Sequence, residues 1–99
     1  MEKMPEFLSL MKEKSPVFSE AFLNVLEKSQ SDGALPAKMK TLISMALDAA
    51  AGHSEGVRSL AEKARKQGAT EEEIIETIQI VATTCGMQGL ATGSAAFKR

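Results

Sequence analysis

Cysteine and histidine each occur once in this sequence, and tryptophan and tyrosine do not occur at all. A single thiol, Cys85, excludes a disulfide within the chain. His53 and Cys85 stand 32 positions apart and match no metal-ligand spacing, so neither a metal nor another cofactor is expected. With four Phe as the only aromatics, 12 basic residues against 13 acidic ones, and no basic run, the chain carries no footprint for nucleic acid. Long apolar runs are missing too. The opening "MEKMPEFLSLMKEK" is charged throughout and lacks the apolar core of a signal peptide, which makes the cytoplasm the expected location. Thr77 to Phe97 is 21 residues without a charge, but ten of them are Thr, Gln, Gly or Ser. That is too polar for a lipid-facing span and predicts burial against protein on several sides, with no membrane as partner.

Ninety-nine residues are read as one domain, 1–99, with a thin core. A chain of this length hides only about 60–70% of its extended surface on folding. With disulfide and metal excluded, a second subunit is the cheapest way to bury more, so a homo-oligomer is expected.

Helical periodicity runs through the whole chain and strand alternation is nowhere sustained, which predicts an all-α bundle of five to six helices. The first helix is expected over residues 4–13, with Phe7, Leu8 and Met11 on one face. Ser15 and Pro16 signal the start of a second, whose apolar stripe is Phe18, Ala21, Phe22, Val25 and Leu26. Pro36 opens the third, with Met39, Leu42, Ile43, Ala46 and Ala50 as its buried face, and Gly52 ends it. The fourth, about Ser54 to Gln67, buries Val57, Leu60, Ala61 and Ala64, and Gly68 stops it. "GATEEEI" then supplies a capping box from Thr70 and Glu73, with three glutamates at the positive end of the helix dipole. Ile74, Ile78, Val81 and Cys85 form the stripe of the fifth helix. A sixth segment, 86–97, follows a break at Gly86, with Gly89 and Gly93 spaced for close backbone approach.

The order "SPVFSEAFL", "DGALPAKMKTLISMALDAAAG", "GATEEEIIETI" and "CGMQGLATGSAAF" resembles the carboxymuconolactone decarboxylase and alkylhydroperoxidase D family over about residues 6–97. That resemblance implies the family's all-α fold and a trimer or hexamer. The redox branch of the family works through a Cys-x-x-Cys pair at the start of the helix before Gly-Ala-Thr. A His follows the second Cys by four residues, and a Glu precedes the first by twelve. Counted back from Gly68, these positions fall on His53, Gly56, Leu60 and Thr41. None carries the required group, so a dithiol cycle cannot run there. The decarboxylase branch keeps a histidine where this chain has Leu60.

Three readings follow. In the first, the protein binds or converts a small molecule in a pocket of Thr41, His53, Gly56 and Leu60, with His53 as general base or ligand-binding group beside a free helix end. In the second, it is a lyase, or a thiol-dependent antioxidant acting through Cys85. In the third, His53 is only an interhelical joint and the protein is a non-catalytic oligomer. The stripe of the fifth helix makes Cys85 a buried structural thiol in the first and third readings. Lys38 and Lys40 match the family's lysines and stand either at a pocket or on an ordinary helix surface.

Overall fold

The structure, a computed structural model, describes residues 6–98. Among them are six α-helices and one 3₁₀ turn: α1 (Glu6–Lys14), α2 (Pro16–Gln30), α3 (Ala37–Ala51), α4 (Ser54–Lys66), α5 (Glu71–Cys85), α6 (Met87–Gly93) and the turn Ser94–Phe97. This is the all-α architecture expected. They divide into two compact units, one of α1 and α2 ending at Ser31 and one that begins at Asp32 and holds the remaining elements.

The first unit is the α1–α2 pair. The expected start of α1 at residue 4 lies outside the described residues. Pro16 takes the first turn of α2 as expected, but the Ser15 side chain makes no capping bond. The apolar stripe of α2 is not a buried face. Phe18, Phe22, Val25 and Leu26 all face water, the two Phe rings stacked at 6.3 Å, and the buried residue of this helix is Ser19.

The second unit holds the core, which is built from small residues. Its largest fully buried side chains are Met45, Ile74, Val57 and Thr41, and Ala49 of α3 and Ala61 and Ala64 of α4 are fully buried in the same cluster. The face of α3 differs from the one expected. Thr41, Leu42, Met45 and Ala49 are buried, Ala46 and Ala50 are partly so, and Met39 and Ile43 point to water. The helix "AKMKTLISMALDAAA" is apolar nearly all round, so spacing alone cannot say which side meets the core. On α4 the expected stripe holds, with Leu60 only half-buried.

Local signals account for the element ends. Asp32 accepts a 2.6 Å hydrogen bond from the Ala37 backbone N–H and so caps α3, with Pro36 just outside the first turn. Gly52 closes α3 at φ 84°, where a side chain would be strained. There the Gly52 N–H donates to Ala49 and the His53 N–H to Asp48, the paired bonds of a Schellman turn. Gly86 makes the break between α5 and α6, also at φ 84°.

Two charged contacts tie the helix ends together. Lys38 reaches from α3 to Glu73 at 3.1 Å. The Arg65 guanidinium donates to both Glu71 oxygens, at 2.6 and 2.9 Å, and to the Ala96 carbonyl at 3.0 Å. The hydrogen bond to Glu71 raises the Arg65 pKa above its ordinary value, so this group stays charged.

The expected capping box is complete: Thr70 Oγ1 accepts from the Glu73 N–H, and the Glu73 carboxylate accepts from the Thr70 N–H at 2.9 Å. That backbone bond, followed by the one from Lys38, lowers the Glu73 pKa below its ordinary 4.5. A carboxylate depressed on folding stabilises the fold above its unfolded pKa and loses that contribution as pH falls through the folded value. Wild type should therefore be more stable than Glu73→Gln at pH 7, and the difference should vanish well below pH 4.5. Urea melts of both proteins across that range test it. Thr70→Ala should cost about 1 kcal/mol at pH 7.

Candidate functional site

The junction between α3 and α4 places three groups together. His53 precedes the first turn of α4, and its side chain is two-thirds exposed. Its Nδ1 lies 3.2 Å from Asp48 Oδ1, on the last turn of α3. Asp48 can lie there because residue 56 has no side chain: a Cβ on Gly56 would collide with Asp48 Oδ2 and come within 2.8 Å of its Cγ. Gln88, from α6, stands beside Gly52, its amide nitrogen 3.1 Å from where a Cβ would be.

Of the four residues expected to line a pocket, His53 and Gly56 meet, through Asp48. Thr41 sits two turns earlier on α3, roughly 10 Å of helix rise from Asp48. It is fully buried, and its hydroxyl donates to the Ala37 carbonyl at 3.1 Å. Leu60 lies one turn beyond Gly56, packed against the core. Asp48 was not singled out from the sequence. The signal available was its position one helical turn before the α3 stop, facing the only histidine across a glycine.

Cys85 requires a correction, because it is exposed. The stripe of Ile74, Ile78 and Val81 is buried as expected, but α5 ends at Cys85, so its side chain continues the line past the edge of the core. Lys38 belongs to the ion pair with Glu73, across to α5.

A separate cleft of about 620 Å³ lies along α4 toward its C-terminal end, lined by Arg58, Glu62, Arg65, Glu71, Phe97 and Lys98. Arg65 and Glu71 there are already bound to each other. Among the described residues no cluster of His, Cys, Asp and Glu could hold a metal ion, and no helix is long and apolar enough to cross a membrane.

Comparison with known proteins agrees with this architecture. A carboxymuconolactone decarboxylase family protein from Legionella pneumophila, solved in its apo form, superposes with a TM-score of 0.85 at 27% identity, covering 92% of this chain and 81% of that one. An uncharacterized protein of Methanocaldococcus jannaschii is 32% identical over 82 residues, which is 83% of this chain and 77% of the relative. The profile of the carboxymuconolactone decarboxylase family matches residues 16–99. With α2 to the C-terminus inside that match, the chain belongs to the carboxymuconolactone decarboxylase family.

Proposed function

We propose that this family member binds or converts a small molecule at the α3–α4 junction, with His53 as proton acceptor and Asp48 as the group that holds its ring. The working form is a homo-oligomer in the cytoplasm, a trimer or hexamer. The observation that carries the reading is the 3.2 Å contact between His53 Nδ1 and Asp48 Oδ1. An ionised carboxylate can only accept, so the neutral ring carries its proton on Nδ1. Nε2 then has a free lone pair on an exposed edge, the arrangement a general base needs. The reaction this suits is proton transfer in an elimination or decarboxylation of a small acid or lactone, a lyase chemistry that uses no thiol.

The competing reading, an oligomer without catalysis, is favoured by how open the pair is, since His53 is two-thirds exposed. Two measurements separate them. Long-range ¹H–¹⁵N spectra above pH 8 should show the Nδ1–H tautomer in wild type and its loss in Asp48→Ala and in Gly56→Ala. The second variant pushes the carboxylate away, and circular dichroism checks that its helices are intact. A panel of small carboxylic acids and lactones should then reveal turnover that falls about 10²–10⁴-fold in His53→Gln. An Nε2–H tautomer in wild type, or turnover that His53→Gln leaves unchanged, would remove His53 from the chemistry.

A further inference from the structure

The cleft along α4 plays no part in the His53 junction, and every residue lining it belongs to the unit that begins at Asp32. Arg58, Glu62 and Arg65 follow one another at steps of four and three on α4, so their side chains share one wall. Phe97 ends the last turn, Lys98 follows it, and Glu71 opens α5. A guanidinium carries five N–H donors in one plane. On Arg65 three are engaged, Nε with one Glu71 oxygen and Nη2 with the other and with the Ala96 carbonyl. These bonds fix the plane of the group. They leave both donors of Nη1 without an acceptor among the described residues. Arg58 and Lys98 also have no hydrogen bond or ion pair among the described residues. The three cations of the lining face two carboxylates, one of them already bound to Arg65, so positive charge is in excess. Phe97 adds a ring that is 42% exposed. The volume, about 620 Å³, falls within the roughly 300–1,000 Å³ of small-molecule sites.

We propose that this cleft binds a small organic anion, a carboxylate or phosphate ester joined to an aromatic body. Its charged group is taken by Arg65 Nη1 with the flanking Arg58 and Lys98, and its body lies against Phe97. A guanidinium already held in place loses little freedom when it donates, and its fork matches carboxylate and phosphate oxygens. An uncharged ligand would leave the excess cations without a partner, and an inorganic anion would leave the ring without one. Glu62 on the same wall repels a polyanion, which restricts the ligand to one or two negative charges. The site is independent of the chemistry assigned to His53.

The test titrates benzoate, phenyl phosphate, inorganic phosphate and uncharged benzamide into the full chain, followed by ¹H–¹⁵N spectra that include the arginine Nε–H groups. Benzoate and phenyl phosphate at millimolar concentration should shift the Arg65 Nε–H, Phe97 and Lys98 signals in a saturable way, and benzamide should not. Whichever binds more tightly identifies the headgroup as carboxylate or phosphate ester, and either result supports the site. Arg58→Gln and Lys98→Gln, at exposed positions, should each weaken binding about fivefold. Phe97→Ala should weaken phenyl phosphate and leave inorganic phosphate unchanged. Should that variant lose helix content by circular dichroism, Overhauser contacts between the probe's ring and Phe97 in wild type take its place. No saturable shift with either aromatic anion overturns the proposal, and so do shifts confined to the residues around His53. Inorganic phosphate binding as tightly as phenyl phosphate, or benzamide as tightly as benzoate, overturns it as well.

Discussion

Gly93→Leu should lower the melting temperature by more than about 12 °C or prevent folding altogether. Gly93 is fully packed against α5: a Cβ there would lie 2.8 Å from Ile78 Cγ2 and 3.0 Å from its Cδ1. Ile78 cannot yield, because it is only 3% exposed and lies in the core between Ile74 and Val81. Overpacking of this kind costs about 1–3 kcal/mol for a few added methylenes, and more where a whole side chain has no place. Replacing a helical glycine returns up to about 1 kcal/mol of helix propensity, which is too small to offset it. A net loss near 3 kcal/mol corresponds to more than about 12 °C in a domain of this size, where each kcal/mol moves the midpoint by about 4–8 °C. Gly89 repeats the arrangement one turn earlier, with Val81 Cγ1 2.7 Å from its Cβ position. Pairing Gly93→Ala with Ile78→Ala, which removes the obstructing atoms, should leave α5 and α6 in native contact. A Gly93→Leu protein with the wild-type melting temperature would show that the two glycines are not a packing device.

The second large effect is an absence of turnover. With a hydroperoxide and no added thiol, the protein should show no multiple-turnover peroxidase activity above the uncatalysed rate, and any turnover that an added dithiol allows should depend on Cys85. The positions aligned with the family's two thiols hold His53 and Gly56, and the space beside Gly56 is filled by the Asp48 carboxylate. Cys85 is exposed, so peroxide can reach it. Its thiolate can take one oxygen, forming a sulfenate and releasing the alcohol, and the reaction then stops for want of a second thiol in the chain. Peroxide consumption should therefore saturate near one equivalent per chain, vanish in Cys85→Ala and persist in His53→Ala. Sustained turnover that Cys85→Ala retains would overthrow this assignment of the site.

The parts of the fold that could be read ahead are those decided within a few residues. Thr70 and Glu73 form a capping box because both partners lie in one turn. Gly52 and Gly86 end helices because the backbone there enters a conformation glycine tolerates. What escaped was decided by packing at a distance. On α3 two apolar sides compete, and the choice of Met45 over Ile43 depends on where α4 and α5 lie. Cys85 continues the spacing of Ile78 and Val81, but spacing carries no information on where the core stops. For the candidate site, the family motif led to His53 and Gly56, while Asp48 stayed hidden. A carboxylate at the end of an alanine-rich helix reads as an ordinary solvated charge until the turn at Gly52 folds it back.

The three bonds of Arg65 bear on how this sequence is free to drift. Its contact with the last turn is made to the main-chain carbonyl of residue 96, and every amino acid supplies that acceptor. Substitutions near the C-terminus are thus constrained by size, since Ala95 and Ala96 are buried, but not by any need to preserve a bonding side chain. The constraint falls on residue 65. Lysine keeps the charge but offers a point contact where the planar guanidinium reaches two carboxylate oxygens and a carbonyl at once, so that position should accept little besides arginine while its partner segment diverges.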